Sequence, residues 1–181
     1  MRAIPEVREA MLAAIPSLRA FAISLTYNVD AADDLVQEAI LRGWANIDRF
    51  ELGTNINAWL FTILRNAFYS QYRKARRLVE DPDGSYAARL GAPPEQNARC
   101  DFEDMRTALA RLPVDQREAL ILIAAEGLSY EDAAQVCGVA IGTIKSRAHR
   151  ARARLAELLS VQDADNLSPD EVMQAALQRT I

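Results

Sequence analysis

The chain has 181 residues, half of them hydrophobic, with seven glycines and few β-branched runs, which gives room for one or two small helical domains. Its 21 lysines and arginines against 25 aspartates and glutamates leave a formal charge of −4, which excludes a uniformly basic coat of the kind many nucleic-acid binders carry. Cys100 and Cys137 are too few for a disulfide framework and stand in no metal-ligand spacing, so no metal or other cofactor is expected.

No apolar run is long enough to cross a membrane and the N-terminus lacks a signal-peptide pattern, so no membrane association and a cytoplasmic location are expected. The charge is unevenly placed. Arg65, Arg73, Lys74, Arg76 and Arg77 form one basic block and the stretch from Lys145 to Arg154 another, while acids gather at Asp30, Asp33, Asp34 and Glu38 and around Glu80 to Asp83.

From Pro5 to about Tyr27, Met11, Ile15, Leu18, Ala22 and Leu25 recur at helical spacing, with Pro16 splitting or kinking the segment. Asp30 to Arg49 is amphipathic, capped by Asn28 or Asp30, with Leu35, Val36, Ala39, Ile40, Trp44 and Ile47 as its buried stripe. Asp33, Asp34, Gln37 and Glu38 lie elsewhere on that helix. A catalytic carboxylate pair is the sharper reading of Asp33 and Asp34, but sequence neighbours on a helix point about 100° apart and do not converge on one substrate. Acids that favour the positive helix end are the simpler reading.

Phe50 to Asn57 is a loop turning at Gly53, with Thr54 or Asn55 capping the next helix. That helix runs to Arg77 with Ile56, Leu60, Ile63 and Ala67 on its core face, joined by Trp59 and Leu64. Phe68, Tyr69 and Tyr72 then continue among the cations. Aromatics at helical spacing are often plain core; interleaved with cations they also suit single-stranded nucleic acid, offering charge to the backbone and flat faces to unstacked bases.

Leu78 to Cys100 is punctuated by proline, glycine and acid and reads as a linker, with a brief turn at Ser85 to Leu90. Phe102, Met105, Ala108, Leu109 and Leu112 mark a helix ending at Pro113. A second, from Val114 to Glu126, buries Leu120, Ile123 and Ala124 and stops at Gly127.

Leu128 to Leu155 holds two further helices. Ser129 caps the first with Asp132 completing a capping box, and Tyr130, Ala133, Ala134 and Cys137 share one face. Gly138 supplies the turn. The second helix buries Ile144, Ala148, Ala151 and Leu155, and no acid interrupts its cations before Glu157. A solvated surface helix would intersperse glutamates for i,i+4 support. An apolar stripe backed by unopposed cations instead suits a helix-turn-helix lying in a major groove. In the tail, Ser168-Pro169-Asp170-Glu171 starts a helix whose Val172, Met173, Ala176 and Leu177 either pack back or order against a partner.

DDLVQEAILRGW with WLFTILRNAFYSQYRKARR resembles conserved region two of bacterial RNA polymerase sigma factors, and LPVDQREALILIAAEGLSYEDAAQVCGVAIGTIKSRAHRARARL resembles their region four. The pair joined by a short linker is the layout of the extracytoplasmic-function class, and FTILRNAFYSQYRKARR is similar to the general-stress-response sigma factors of alphaproteobacteria. The resemblance implies an all-α fold of two small helical domains: region two over residues 1–78, a flexible linker over 79–100, region four over 101–160 and a tail over 161–181. It implies a factor without catalysis or a small-molecule substrate, partnered by core RNA polymerase, promoter DNA and an anti-sigma factor. Asp33, Asp34, Gln37 and Glu38 would dock on the polymerase clamp. Phe50, Asn55, Trp59, Arg65, Asn66, Tyr69 and Arg73 would open the minus-10 element and hold its bases. Thr143, Lys145, Ser146, Arg147 and Arg150 would read the minus-35 element, although Ala140 stands where a capping side chain is expected. The linker would thread toward the RNA exit path. A sigma-like mimic that sequesters the anti-sigma factor, or a helix-turn-helix repressor, are the alternatives. A mimic would not need both cationic faces, and a repressor would leave the aromatic-basic helix without a task.

Overall fold

The computed structural model describes residues 3–78 and 100–159, with side chains within 6–74 and 105–159. The expected linker turn, the tail helix and the side chains of Arg76, Arg77 and Phe102 lie outside the described residues. All regular elements among the described residues are helical. They fall into two units.

The N-terminal unit holds α1 (Ala3–Ala13), α2 (Ile15–Thr26), α3 (Val29–Ala45), a 3₁₀ turn (Ile47–Arg49) and α4 (Ile56–Leu78). Pro16 lies in the first turn of α2, where its missing N–H costs least, and the chain bends there by 40°. Asn28, rather than Asp30, caps α3: its Oδ1 accepts from the Ala31 N–H at 2.9 Å. Asn55, rather than Thr54, caps α4 by accepting from the N–H groups of Asn57 and Ala58 at 3.1 and 3.3 Å. The Thr54 hydroxyl donates instead to the Glu51 carbonyl at 2.7 Å.

Met11, Leu18, Ala22, Leu25, Leu35, Val36, Ala39, Leu60, Leu64 and Ala67 are buried as their spacing predicts. Phe21 and Phe61 join them edge to face, ring centres 5.2 Å apart. Trp44 does not: it is 47% exposed, because Ala32, Leu35, Ala39 and Gly43 hold the core face of α3 and the next residue points away. Gly43 is where α3 meets its neighbours closely, since a Cβ there would lie 3.1 Å from both Leu60 Cδ2 and Met11 Cε. Ile15, Ile40, Ile47, Ile56, Trp59 and Ile63 are half-buried rather than core.

The C-terminal unit holds α5 (Cys100–Ala110), α6 (Val114–Leu120), α7 (Tyr130–Cys137) and α8 (Ile141–Leu158). Ala108, Leu112, Leu120, Ala151 and Leu155 cluster at its centre, with Met105, Leu109 and Ala124 packed against them. The helix begun by α6 continues as a π segment, Ile121–Ala125, in which the Glu126 N–H bonds the Ile121 carbonyl at 3.0 Å. That wider turn breaks the 3.6-residue register, so Ile121 and Leu122 are buried and Ile123 and Ala124, expected inside, are half-buried. Two charged residues the periodicity gives no hint of, Arg117 and Glu118, are buried as well. Arg117 donates to the carbonyls of Leu109 and Leu112, both at 3.3 Å, and so ties α6 to the end of α5.

Candidate nucleic-acid and polymerase interfaces

The recognition pair begins with Ser129, whose Oγ accepts from the Asp132 N–H at 2.9 Å and starts α7. Ala133, Ala134, Val136 and Cys137 are buried, and Gly138 turns the chain with φ +65°. Helix α8 then buries Ile144, Ala148, Ala151 and Leu155, so its register is the one the sequence calls for. Its N-cap, Ala140, offers no side-chain bond; the Ala140 carbonyl accepts from Thr143 and Ile144 instead.

On the outward side Lys145, Ser146, His149 and Arg150 are exposed, and Thr143 and Arg147 are half-buried. Several of these are held. Arg150 Nε donates to the Ser146 carbonyl at 3.2 Å, and the Ser146 hydroxyl donates to the Thr143 carbonyl at 2.9 Å. Lys145 Nζ lies 5.5 Å from the centre of the Tyr130 ring, while Arg152 reaches that residue's hydroxyl at 3.5 Å. Arg147 pairs with Asp115 in the first turn of α6, Nε to Oδ2 at 3.1 Å. Asp115 is an acid beside the basic face that no spacing within α8 reveals.

In the N-terminal unit, Trp59, Asn66 and Arg73 are seven residues apart on α4 and so share one line along it. Phe50, from the preceding loop, packs on Trp59 with ring centres 5.2 Å apart and a tilt of 48°. Trp59, Ile63 and Asn66 face Arg42, Asn46 and Arg49 across an open cleft. Farther along, Arg65 lies over the Tyr69 ring at 4.6 Å, and Phe68 sets edge to face against Tyr69 and stacks on Tyr72. Phe68, Tyr69 and Tyr72 are each half-buried, so all three keep part of a ring at the surface. Asn55 sits at its head, engaged in the cap.

The acids of α3 divide. Asp34, Gln37 and Glu38 border a shallow groove with Leu41, which is 62% exposed. Asp33 lies outside that groove, bonded by Arg19 of α2 through Nε at 2.6 Å and Nη2 at 3.2 Å. That hydrogen-bonded guanidinium holds the Asp33 carboxyl below the usual carboxylate range. Glu38 is braced by Arg42 at 2.5 Å and by Gln71 of α4, whose Nε2 donates at 2.6 Å.

Residues 11–78 match the family described as Sigma-70 region 2, and residues 102–155 match Sigma-70, region 4. Over 171 residues the chain is 60% identical to the ECF RNA polymerase sigma factor EcfG of Rhodopseudomonas palustris (strain TIE-1), with 94% of each chain covered. The chain belongs to the extracytoplasmic-function sigma factors. It is also 41% identical over 128 residues to the ECF RNA polymerase sigma factor SigC of Mycobacterium tuberculosis, covering 69% of this chain and 68% of that one. Among solved structures, the sigma factor RpoE in complex with the anti-sigma factor NepR, from Bartonella quintana, superposes with a TM-score of 0.74 at 52% identity over 87% of this chain and 98% of that one. The PhyRSL–NepR complex of Sphingomonas sp. Fr1, at 22% identity and a TM-score of 0.60 over 88% of this chain and 94% of that one, shares the fold alone.

Region 2 thus contains α3 and α4, and region 4 contains α6 to α8. Within them the fold groups Asp34, Gln37 and Glu38, groups Phe50, Trp59 and Asn66, and gathers Thr143, Ser146 and Arg150. It sets Asp33 against Arg19 and Arg147 against Asp115. Sequence reasoning passed over Leu41, Arg42, Asn46 and Arg49. Leu41 was findable, being seven residues after Asp34 and so above it on the helix; the other three need the α3–α4 packing.

Proposed function

We propose that this sigma factor binds core RNA polymerase through α3, captures the minus-10 element along α4 and reads the minus-35 element with α8. The observation that carries this is the coexistence on one chain of two different cationic surfaces: Trp59, Asn66 and Arg73 in line beside exposed loop residues, and a helix with no acid of its own before Glu157, raised on a capped, glycine-turned partner. Separated strands need flat faces and pockets, whereas an intact duplex needs a protruding helix.

Asp34, Gln37 and Glu38, with exposed Leu41 and Trp44, form the polymerase-docking surface; Arg19 of α2 holds Asp33 beside it. Phe50, Asn55, Trp59, Arg65, Asn66, Tyr69 and Arg73 serve strand opening and base capture. Thr143, Lys145, Ser146, Arg147 and Arg150 serve duplex reading. The chain itself catalyses nothing; bond formation belongs to the polymerase. Residues 79–100 connect the two functions and 161–181 trail region 4. An anti-sigma factor competes for the α3 surface, as befits a relative solved with the anti-sigma factor NepR, and the genes served belong to a stress response.

Permanganate footprinting of promoter complexes tests the division of labour. Trp59→Ala with Asn66→Ala should keep holoenzyme bound to duplex promoter while unpaired thymines in the minus-10 element disappear. Undiminished thymine reactivity rejects the α4 assignment.

A further inference from the structure

We propose that Asp115 is a positioning residue for Arg147, and through it a determinant of which base pair region 4 accepts. The inference rests on α8 reading the minus-35 duplex. Its own evidence is the ion pair between two elements far apart in sequence, Nε of Arg147 to Oδ2 of Asp115 at 3.1 Å. The arginine side chain is 20% exposed and the aspartate 45%, so the pair sits at the rim of the unit with one face open to water.

The atoms in contact matter. The closest approach is through Nε, the guanidinium nitrogen nearest the backbone. Base recognition by arginine can use the two terminal nitrogens at the other end, parallel donors set against two acceptors on one base edge. A carboxylate on the Nε side therefore leaves that fork to the ligand while its charge holds the guanidinium to one side of α8. A long side chain that is already ordered loses less freedom when DNA arrives, and holding one such side chain is worth roughly two- to tenfold in affinity for the matched site.

The placement of Asp115 adds to this. It occupies the first turn of α6, whose following residues Arg117 and Glu118 are buried, so its backbone is anchored in the unit's core. Arg147 springs from α8 beside Ala148, which is fully buried. Both ends of the pair are thus fixed by packing. A negative charge beside the DNA face also repels phosphate, and that cost falls equally on every sequence. Positioning differs because it acts only where Arg147 acts.

The test is a double-mutant cycle with the full chain assembled on core polymerase, measuring binding to promoters in which each minus-35 base pair is changed in turn. Arg147→Ala should flatten discrimination at one or two positions. Asp115→Ala should reduce discrimination at those same positions roughly two- to tenfold and nowhere else, and should have no such effect in the Arg147→Ala background. Asp115→Asn, which keeps the shape without the charge, repeats the measurement if the alanine variant does not fold. Uniformly tighter binding to every promoter, unchanged discrimination, or an effect that persists without Arg147 would each overturn the positioning role. If Arg147→Ala itself leaves discrimination intact, the reading of α8 at that residue fails first and the role of Asp115 falls with it.

Discussion

Arg147 and Asp33 show how one contact changes what a charged side chain is for. If Arg147 makes a bidentate base contact, its replacement by alanine should cost about 1–3 kcal/mol at the recognised base pair and little at others. Lys145→Ala, whose ammonium rests beside an aromatic ring, should instead weaken binding to all sequences and flatten its salt dependence. Titrating fluorescently labelled promoter variants at several salt concentrations separates the two patterns. Asp33 behaves differently, because the hydrogen bond from Arg19 lowers its folded pKa. The stabilisation it brings is therefore present above the unfolded carboxylate pKa, near 3.9, and is lost as pH falls through the lower folded value. Arg19→Ala should move the Asp33 carboxyl up toward the ordinary range in an NMR titration; an unmoved carboxyl would mean the bond is absent in solution. The placement of the α8 cations was legible from the sequence, because periodicity alone separates them from the buried Ile144 stripe. Their partners were not. Asp115 and Arg19 reach their positions only when α6 meets α8 and α2 meets α3.

Helix boundaries follow from chemistry that sequence displays openly: Pro16, the Asn28 and Asn55 caps, and the glycine after α7. What it conceals is register inside a helix. The π segment at Ile121–Ala125 moves burial from Ile123 and Ala124 to Ile121 and Leu122, and nothing in ILIAA favours one pair over the other. Trp44 was misplaced for a related reason, since a large aromatic near an apolar stripe looks like core until Gly43 is seen to occupy the crossing. Two stability predictions belong here. Phe61→Ala removes one ring of the edge-to-face pair and should destabilise the N-terminal unit by about 3–5 kcal/mol, read from denaturant midpoints. Gly138→Ala meets no steric neighbour but must hold a left-handed backbone, so the C-terminal unit should lose about 1–2 kcal/mol. A neutral Gly138→Ala would show that the turn relaxes out of φ +65°.

For the molecule as a whole, two local clusters of cations stand on a chain whose net charge is −4, so the chain offers DNA no strong general attraction. On the proposed docking, polymerase completes the affinity and the α3 surface is the gateway to both promoter contacts. Asp34→Arg should therefore abolish competition with other sigma factors for core polymerase while hydrogen-exchange protection of α5 to α8 stays unchanged; normal assembly by that variant would count against the docking surface. The most direct measurement adds the chain to core polymerase and a randomised promoter library and maps the transcripts. Initiation from a defined subset sharing an upstream duplex element and a downstream melted element is the expected result. No initiation, or initiation from the same sites that core polymerase uses by itself, would contradict promoter recognition by this chain.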